Sequence, residues 1–484
     1  MEKKKTIDLC LAAVVALIPA SILGISVFIQ YGGLLLNRES SVFLVNYWDC
    51  SRSVLQRVFD PLANDWGLYQ ARELSYFVDL LDANFIKASI TLGAPHFFAL
   101  SFFIFILGIM LIFQFFGRKI FMNLTDGTLL VVNIIFLLQP MVFLGNLFFR
   151  SAKPGCALML AVVVFSLYGL LADRATKTRW FYAFIFGGEL LMALFDRQGM
   201  FFVGAITVGL GLFLPVVAYF EQNPELNRKL RWLCFGSLCV VLLATLYNLY
   251  FGPWLIFLFN GYYPQGSFQA LNIWGVFNIQ GGLIFILTNI GGAFGGLDMG
   301  WGVALILLIG GALALPWYRH RRRSAAYLTG MFVFWLCSTT VAANLMVAQH
   351  PAILWADVIR SGYFLPNLVV LLFFFLQALN VVMEEFENNK NAGRILFCLL
   401  LAPVVGNILV LDNAVNGEAG GHQASELKRV QTILQILREP DMDYQSLMLT
   451  LREYNVVAAV RGEPVIRYEG SEDKIAEWIY LKED

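Results

Sequence analysis

Eleven mostly apolar stretches, each near the ~20 residues that cross a bilayer as a helix, divide this chain: 8–30, 96–116, 127–147, 155–172, 180–195, 199–220, 231–251, 300–318, 325–347, 362–383 and 394–411. Between them the basic residues gather on alternate connections. They are Lys3 to Lys5, Arg118 with Lys119, Arg174, Lys177 and Arg179, Arg228, Lys229 and Arg231, Arg319 with Arg321 to Arg323, and Lys390 with Arg394. Basic residues are retained on the cytoplasmic side, so the pattern predicts about eleven spans, with the N-terminus inside and the C-terminus outside. Arg150 and Lys153 are exceptions and fall outside. The apolar run behind Lys3 to Lys5 is longer than the ~7–15 apolar residues of a signal peptide and reads as an uncleaved first span.

The pattern leaves three larger pieces on the outer face: a first loop over 37–95, a loop over 252–299, and a polar tail over 412–484. Within the second, 281–297 is apolar but short and glycine-rich, which suggests a re-entrant or interfacial piece. In the tail, helical periodicity over 426–438 and 444–454 is followed by two short β-like runs around Arg461 to Glu463. The prediction is an all-α polytopic membrane domain over 1–411 with a small extracytoplasmic α/β domain over 412–484.

Composition agrees: 58% of the 484 residues are hydrophobic and 14% charged, with mean hydropathy +0.68. The net charge of zero argues against nucleic acid as a partner. The seven cysteines show no metal-ligand or redox spacing. No P-loop, dinucleotide fingerprint, HExxH or GxSxG is present. Among acids near the middle of a span only Glu189 stands out, so no ion relay is evident. No internal repeat marks an inverted-repeat transporter.

Chemistry concentrates in the first outer loop, where Asp60, Asp65, Tyr69, Arg72, Glu73, Asp79 and Asp82 fall close together. Residues 68–86 carry a helical stripe. Leu74, Phe77, Val78, Leu81 and Phe85 share one face, and Arg72, Ser75, Tyr76 and Asp79 the other. This predicts a helix lying in the interface, apolar side down, its acids either solvated or used. Asp196 and Arg197 stand at the outer ends of two spans with almost no loop, either paired with each other or serving a substrate. Arg360, before Tyr363 and near His350 and Asp357, either reaches to headgroups or clamps a phosphate. His96 is a further candidate, either a satisfied interfacial residue or part of a site.

These features resemble the GT-C superfamily of membrane glycosyltransferases, which act on polyprenyl-phosphate-linked sugars. The run Asp65, Tyr69, Arg72 is similar to the acid–aromatic–arginine run of several groups. Arg360 with Tyr363-Phe-Leu-Pro366 is similar to a stretch of the protein mannosyl- and aminoarabinose-transferase types, and Leu451-Arg-Glu-Tyr-Asn-Val456-Val to the strand entry of their outer domains. The adjacent Asp-Glu pair of the mannosyltransferase loop is not present. The resemblance implies transfer of a sugar, with inversion, to a glycan, lipid or protein acceptor on the extracytoplasmic face. It implies Asp65 as general base, with Asp49 and Asp60 as substitutes. It makes Arg72, Arg197 and Arg360 cations for the leaving phosphate, with Tyr69, Glu73, Asp196, Tyr363, His96 and His350 as substrate-binding candidates. No cofactor is implied, and a divalent metal only for a pyrophosphate donor. A lipid-linked polysaccharide polymerase or ligase, and a flippase for a lipid-linked sugar, are the alternative readings.

Overall fold

In a computed structural model the chain is a bundle of long helices. The structure describes residues 13–15, 17, 47, 52–59, 71–91, 99–139, 142, 151–171, 178–220, 223–264, 279–295, 299–318, 322–349, 363–385 and 391–416. Its helices are α1 (Val54–Phe59), α2 (Glu73–Thr91), α3 (Leu100–Ile120), α4 (Asp126–Leu137), α5 (Ala152–Leu171), α6 (Thr178–Phe195), α7 (Arg197–Phe220), α8 (Pro224–Asn260), α9 (Ile279–Gly292), α10 (Met299–Tyr318), α11 (Arg322–Gln349), α12 (Leu365–Glu385) and α13 (Ala392–Asn416). Both α3 and α8 contain a π-helical turn, at Ile112–Phe116 and Tyr247–Phe251. No strand occurs among the described residues.

Six of these helices are long and apolar enough to cross a membrane: α3, α5, α7, α8, α12 and α13. Shorter apolar segments lie in α4, α9, α10 and α11. Ten of the eleven predicted spans coincide with helices, although α6 is not among the apolar segments just named, and the first lies almost wholly outside the described residues. The glycine-rich stretch 281–297 is helical through Gly292. At ~1.5 Å per residue, α9 is about 21 Å long, less than the ~30 Å hydrocarbon thickness. Helix α13 runs on to Asn416, through the first five residues of the predicted tail. Residues 417–484, and with them the proposed α/β domain, lie outside the described residues.

Local chemistry fixes the helix ends. Thr125 caps α4 by accepting from the Thr128 N–H at 3.2 Å. Asn223 does the same for α8, accepting from Glu225 and Leu226 at 3.1 and 3.2 Å, with Pro224 at the first helical position. At the other end of α8, Gly261 takes φ 80, a left-handed cap for which glycine has no Cβ to clash.

Helices α5 and α12 are the most enclosed spans and α13 the most peripheral. Phe165 of α5 and Phe373 of α12 meet edge-on at 5.3 Å, and each also contacts Phe121. Between apolar helices in lipid there is little hydrophobic drive, so dense aromatic packing of this kind holds them together, at about 0.5–1.5 kcal/mol per pair.

Helix α2 does not leave its acids solvated. Its polar side faces the protein: Ser75 and Asp79 are completely buried, and Glu73 and Asp82 nearly so. Phe77, Leu81 and Phe85, exposed by 43%, 52% and 41%, face outward. The reason lies at the starts of two spans. Asp79 accepts from the Ser151 N–H at 2.8 Å, immediately before α5. Asp82 accepts from the Ser101 N–H at 3.0 Å and from the Ser101 hydroxyl, in the first turn of α3. Two carboxylates on one helix thus cap two spans, where the orphan N–H groups and the positive dipole end favour an anion.

Candidate functional site: a buried cation cluster

Helix α5 runs away from α2 and α6 returns toward it, so the Ser151–Lys153 end of α5 meets the α6–α7 junction at Asp196. The N-terminal ends of α2 and α12 close on the same place. The junction is tight: the Gly199 N–H donates to the Asp196 carbonyl at 2.8 Å, and the Gln198 N–H to Asp196 Oδ1 at 2.9 Å. Asp196 is therefore the N-cap of α7. A Cβ on Gly199 would overlap the Met192 carbonyl, which leaves glycine as the residue that fits this turn.

Asp196 is fully buried and two cations converge on it. Lys153 Nζ lies 2.8 Å from Oδ1, and Arg72 Nη2 lies 3.5 Å from Oδ2. Lys153 also sits 4.4 Å from the centroid of the Tyr363 ring, a cation–π contact. Arg197 is close enough to interact electrostatically with both Arg72 and Asp196. Burial alone pushes the Asp196 carboxyl up, but Lys153 and Arg72, with hydrogen bonds from Lys153 and the Gln198 N–H, hold it well below the usual carboxylate range. It is an anion at neutral pH.

The Arg72 and Lys153 side chains are each 19% exposed, against 0% for Asp196. The carboxylate thus pins both cations, and each side chain keeps some exposed surface. Arg72 Nε is buried without a hydrogen-bond partner among the described residues, and an orphaned donor of this kind is costly. The start of α2 is itself anchored by the π-helical turn of α8. The Ala71 N–H donates to Asn248 Oδ1 at 3.2 Å, and the Tyr247 hydroxyl donates to Glu73.

No protein-family model, curated protein or solved structure matches this chain.

Of the residues singled out by sequence, Arg72, Glu73, Asp196, Arg197 and Tyr363 come together here, although they are spread over 292 positions from first to last (Arg72 to Tyr363, counted inclusively). Asp196 and Arg197 do not form a self-contained pair, because Asp196 is shared with Lys153 and Arg72. Asp49, Asp60, Asp65, Tyr69, His96, His350 and Arg360 lie outside the described residues. Lys153, Tyr247 and Asn248 were not sequence candidates. Lys153 did carry a signal, as a basic residue on the side otherwise poor in them. Tyr247 and Asn248 stand just before Gly252-Pro253, which marks an irregular turn but not what its side chains meet.

Another buried acid lies apart from the cluster. Glu189 in α6 is fully buried, and its Oε1 accepts from the Ser237 hydroxyl of α8 at 2.8 Å. This is an interhelical hydrogen bond of the kind that joins spans in a bilayer.

Proposed function

We propose that this chain is a membrane glycosyltransferase that moves a sugar from a polyprenyl-phosphate carrier to an acceptor on the extracytoplasmic face. The observation that carries the reading is the Arg72–Lys153–Asp196 cluster with Arg197 beside it. Cations held rigid by a buried carboxylate, each side chain partly exposed, suit a phosphate that gains charge as it leaves. A guanidinium matches phosphate oxygens in two-point geometry, and a lysine adds a point charge.

In this mechanism the acceptor hydroxyl oxygen attacks the anomeric carbon from the face opposite the phosphate. The bond from that carbon to the phosphate oxygen breaks, and polyprenyl phosphate leaves as the more highly charged anion against Arg72, Lys153 and Arg197. The hydroxyl proton passes to a carboxylate of the first loop. The GT-C resemblance assigns that role to Asp65, with Asp49 and Asp60 as substitutes. Glu73 holds Arg72 in place or accepts from a sugar hydroxyl, and Tyr363 limits how far Lys153 can swing. Inversion at the anomeric carbon follows from a single displacement.

The test supplies purified protein in lipid with a panel of polyprenyl-phosphate and polyprenyl-pyrophosphate sugars, plus a membrane extract as the source of acceptor. Donor consumption is followed by mass spectrometry. Wild type consumes one donor class, and Asp65→Asn slows this by about 10²–10⁴, the usual worth of a general base. Consumption of no donor by the wild type refutes the reading.

A further inference from the structure

Helix α8 is continuous over 37 residues, Pro224–Asn260, about 55 Å at ~1.5 Å per residue. That exceeds the ~30 Å hydrocarbon thickness, so part of it stands clear of the membrane. Its π-helical turn, Tyr247–Phe251, is followed directly by Gly252 and Pro253. The proline has no N–H for the carbonyl of Leu249 four residues back, which favours an irregular turn there, and such turns frequently occur at functional sites. Here two successive residues of the turn reach the same target. Asn248, only 5% exposed, accepts from the Ala71 N–H, and Tyr247 donates to Glu73. Arg72 lies between those two anchored residues.

Beyond the turn, α8 is tied to the other side of the first loop. Arg52 donates to Asn260 Oδ1 at 3.0 Å, Gln56 donates to the Phe259 carbonyl at 3.2 Å, and the Phe59 and Phe259 rings lie 5.3 Å apart. The helix therefore holds the chain both before and after the acid-rich stretch 60–70.

We propose that the π-helical turn of α8 is the positioning element of the anion site, with Tyr247 and Asn248 as positioning residues that set Arg72 against Asp196 and Lys153. This rests on the reading of the cluster as a phosphate site. Returning the turn to regular α-helix rotates Tyr247 and Asn248 relative to everything after them. Arg72 then keeps its charge but loses its fixed place.

The experiment measures binding of farnesyl phosphate, with farnesol as the uncharged control, to the full chain in phosphatidylcholine nanodiscs. Amide hydrogen exchange over residues 71–74 is followed on the same samples. Asn248→Leu removes the acceptor, Tyr247→Phe removes one hydroxyl, and Asn248→Asp retains an acceptor. Asn248→Leu is expected to weaken farnesyl phosphate binding about tenfold, the scale of one lost buried hydrogen bond, and to speed exchange at Ala71. Farnesol binding stays unchanged, and Asn248→Asp recovers most of the loss. Tyr247→Phe gives a smaller weakening without loss of fold. Unchanged farnesyl phosphate binding in Asn248→Leu, despite faster exchange at Ala71, overturns the positioning role alone. Equal weakening for farnesol overturns it too, by marking a general structural defect. Failure of the wild type to prefer farnesyl phosphate to farnesol overturns the anion site itself.

Discussion

Asp82 gives the sharpest test of how α2 is seated. It is 4% exposed and caps α3 through Ser101. Burial raises its carboxyl from an ordinary 3.8 to about 6, against the opposing pull of its Ser101 and Leu100 hydrogen bonds. The folded chain therefore holds this proton more tightly than the unfolded chain does. The stabilisation is complete below the unfolded value near pH 4 and is lost as pH rises through the folded value near 6. A rise of about two pH units corresponds to about 3 kcal/mol, lost by pH 7.5. An Asp82→Asn variant keeps the acceptor for the Ser101 N–H and never ionises. The assay is unfolding in mild detergent from pH 4.5 to 7.5, read as the difference between wild type and variant so that other carboxylates cancel. The variant is expected to be similar to wild type at pH 4.5 and more stable by about 1–3 kcal/mol at pH 7.5. A difference that does not change with pH refutes the buried, helix-capping placement of Asp82.

Other consequences follow from the same contacts. Asp196→Asn leaves Lys153 and Arg72 without their shared counter-ion, and costs about 3–5 kcal/mol of stability in the same unfolding assay. Because its folded carboxyl lies below the ordinary range, Asp196 contributes stability above the unfolded value near 3.8. That contribution disappears on acidification, the opposite direction from Asp82. Gly199→Ala forces the α6–α7 turn open at the Met192 carbonyl and is expected to weaken farnesyl phosphate binding along with stability; unchanged binding sinks this account of the junction. Glu189→Gln keeps an acceptor for Ser237 and should leave sugar transfer intact. Loss of transfer would instead give Glu189 a working role in the reaction.

The spans were legible because in a bilayer each must satisfy its own backbone and show apolar side chains to lipid, so length and hydropathy suffice. Helix α2 was legible as amphipathic, and its stripe of Phe77, Leu81 and Phe85 faces outward, in keeping with a helix lying apolar side down in the interface. What its acids do was not legible, because the N–H groups that Asp79 and Asp82 meet belong to α5 and α3. The cluster was half legible: Asp196 and Arg197 stood out as charges at span ends, either paired with each other or serving a substrate. Their real partners come from α5 and the start of α2, and depend on how the helices return to one end of the bundle. The π-helical turn of α8 does have a local mark in Gly252-Pro253, but which side chains it aims, and at what, depends on where the start of α2 comes to lie.

The most direct measurement is competitive binding of a polyprenyl phosphate against the corresponding polyprenol, for wild type and for Arg72→Gln and Lys153→Gln. The account predicts at least about a tenfold preference for the phosphate in wild type, falling by about that factor in each variant, the worth of a charge-assisted hydrogen bond. Equal binding of phosphate and alcohol by the wild type, or a preference that survives both substitutions, would contradict it.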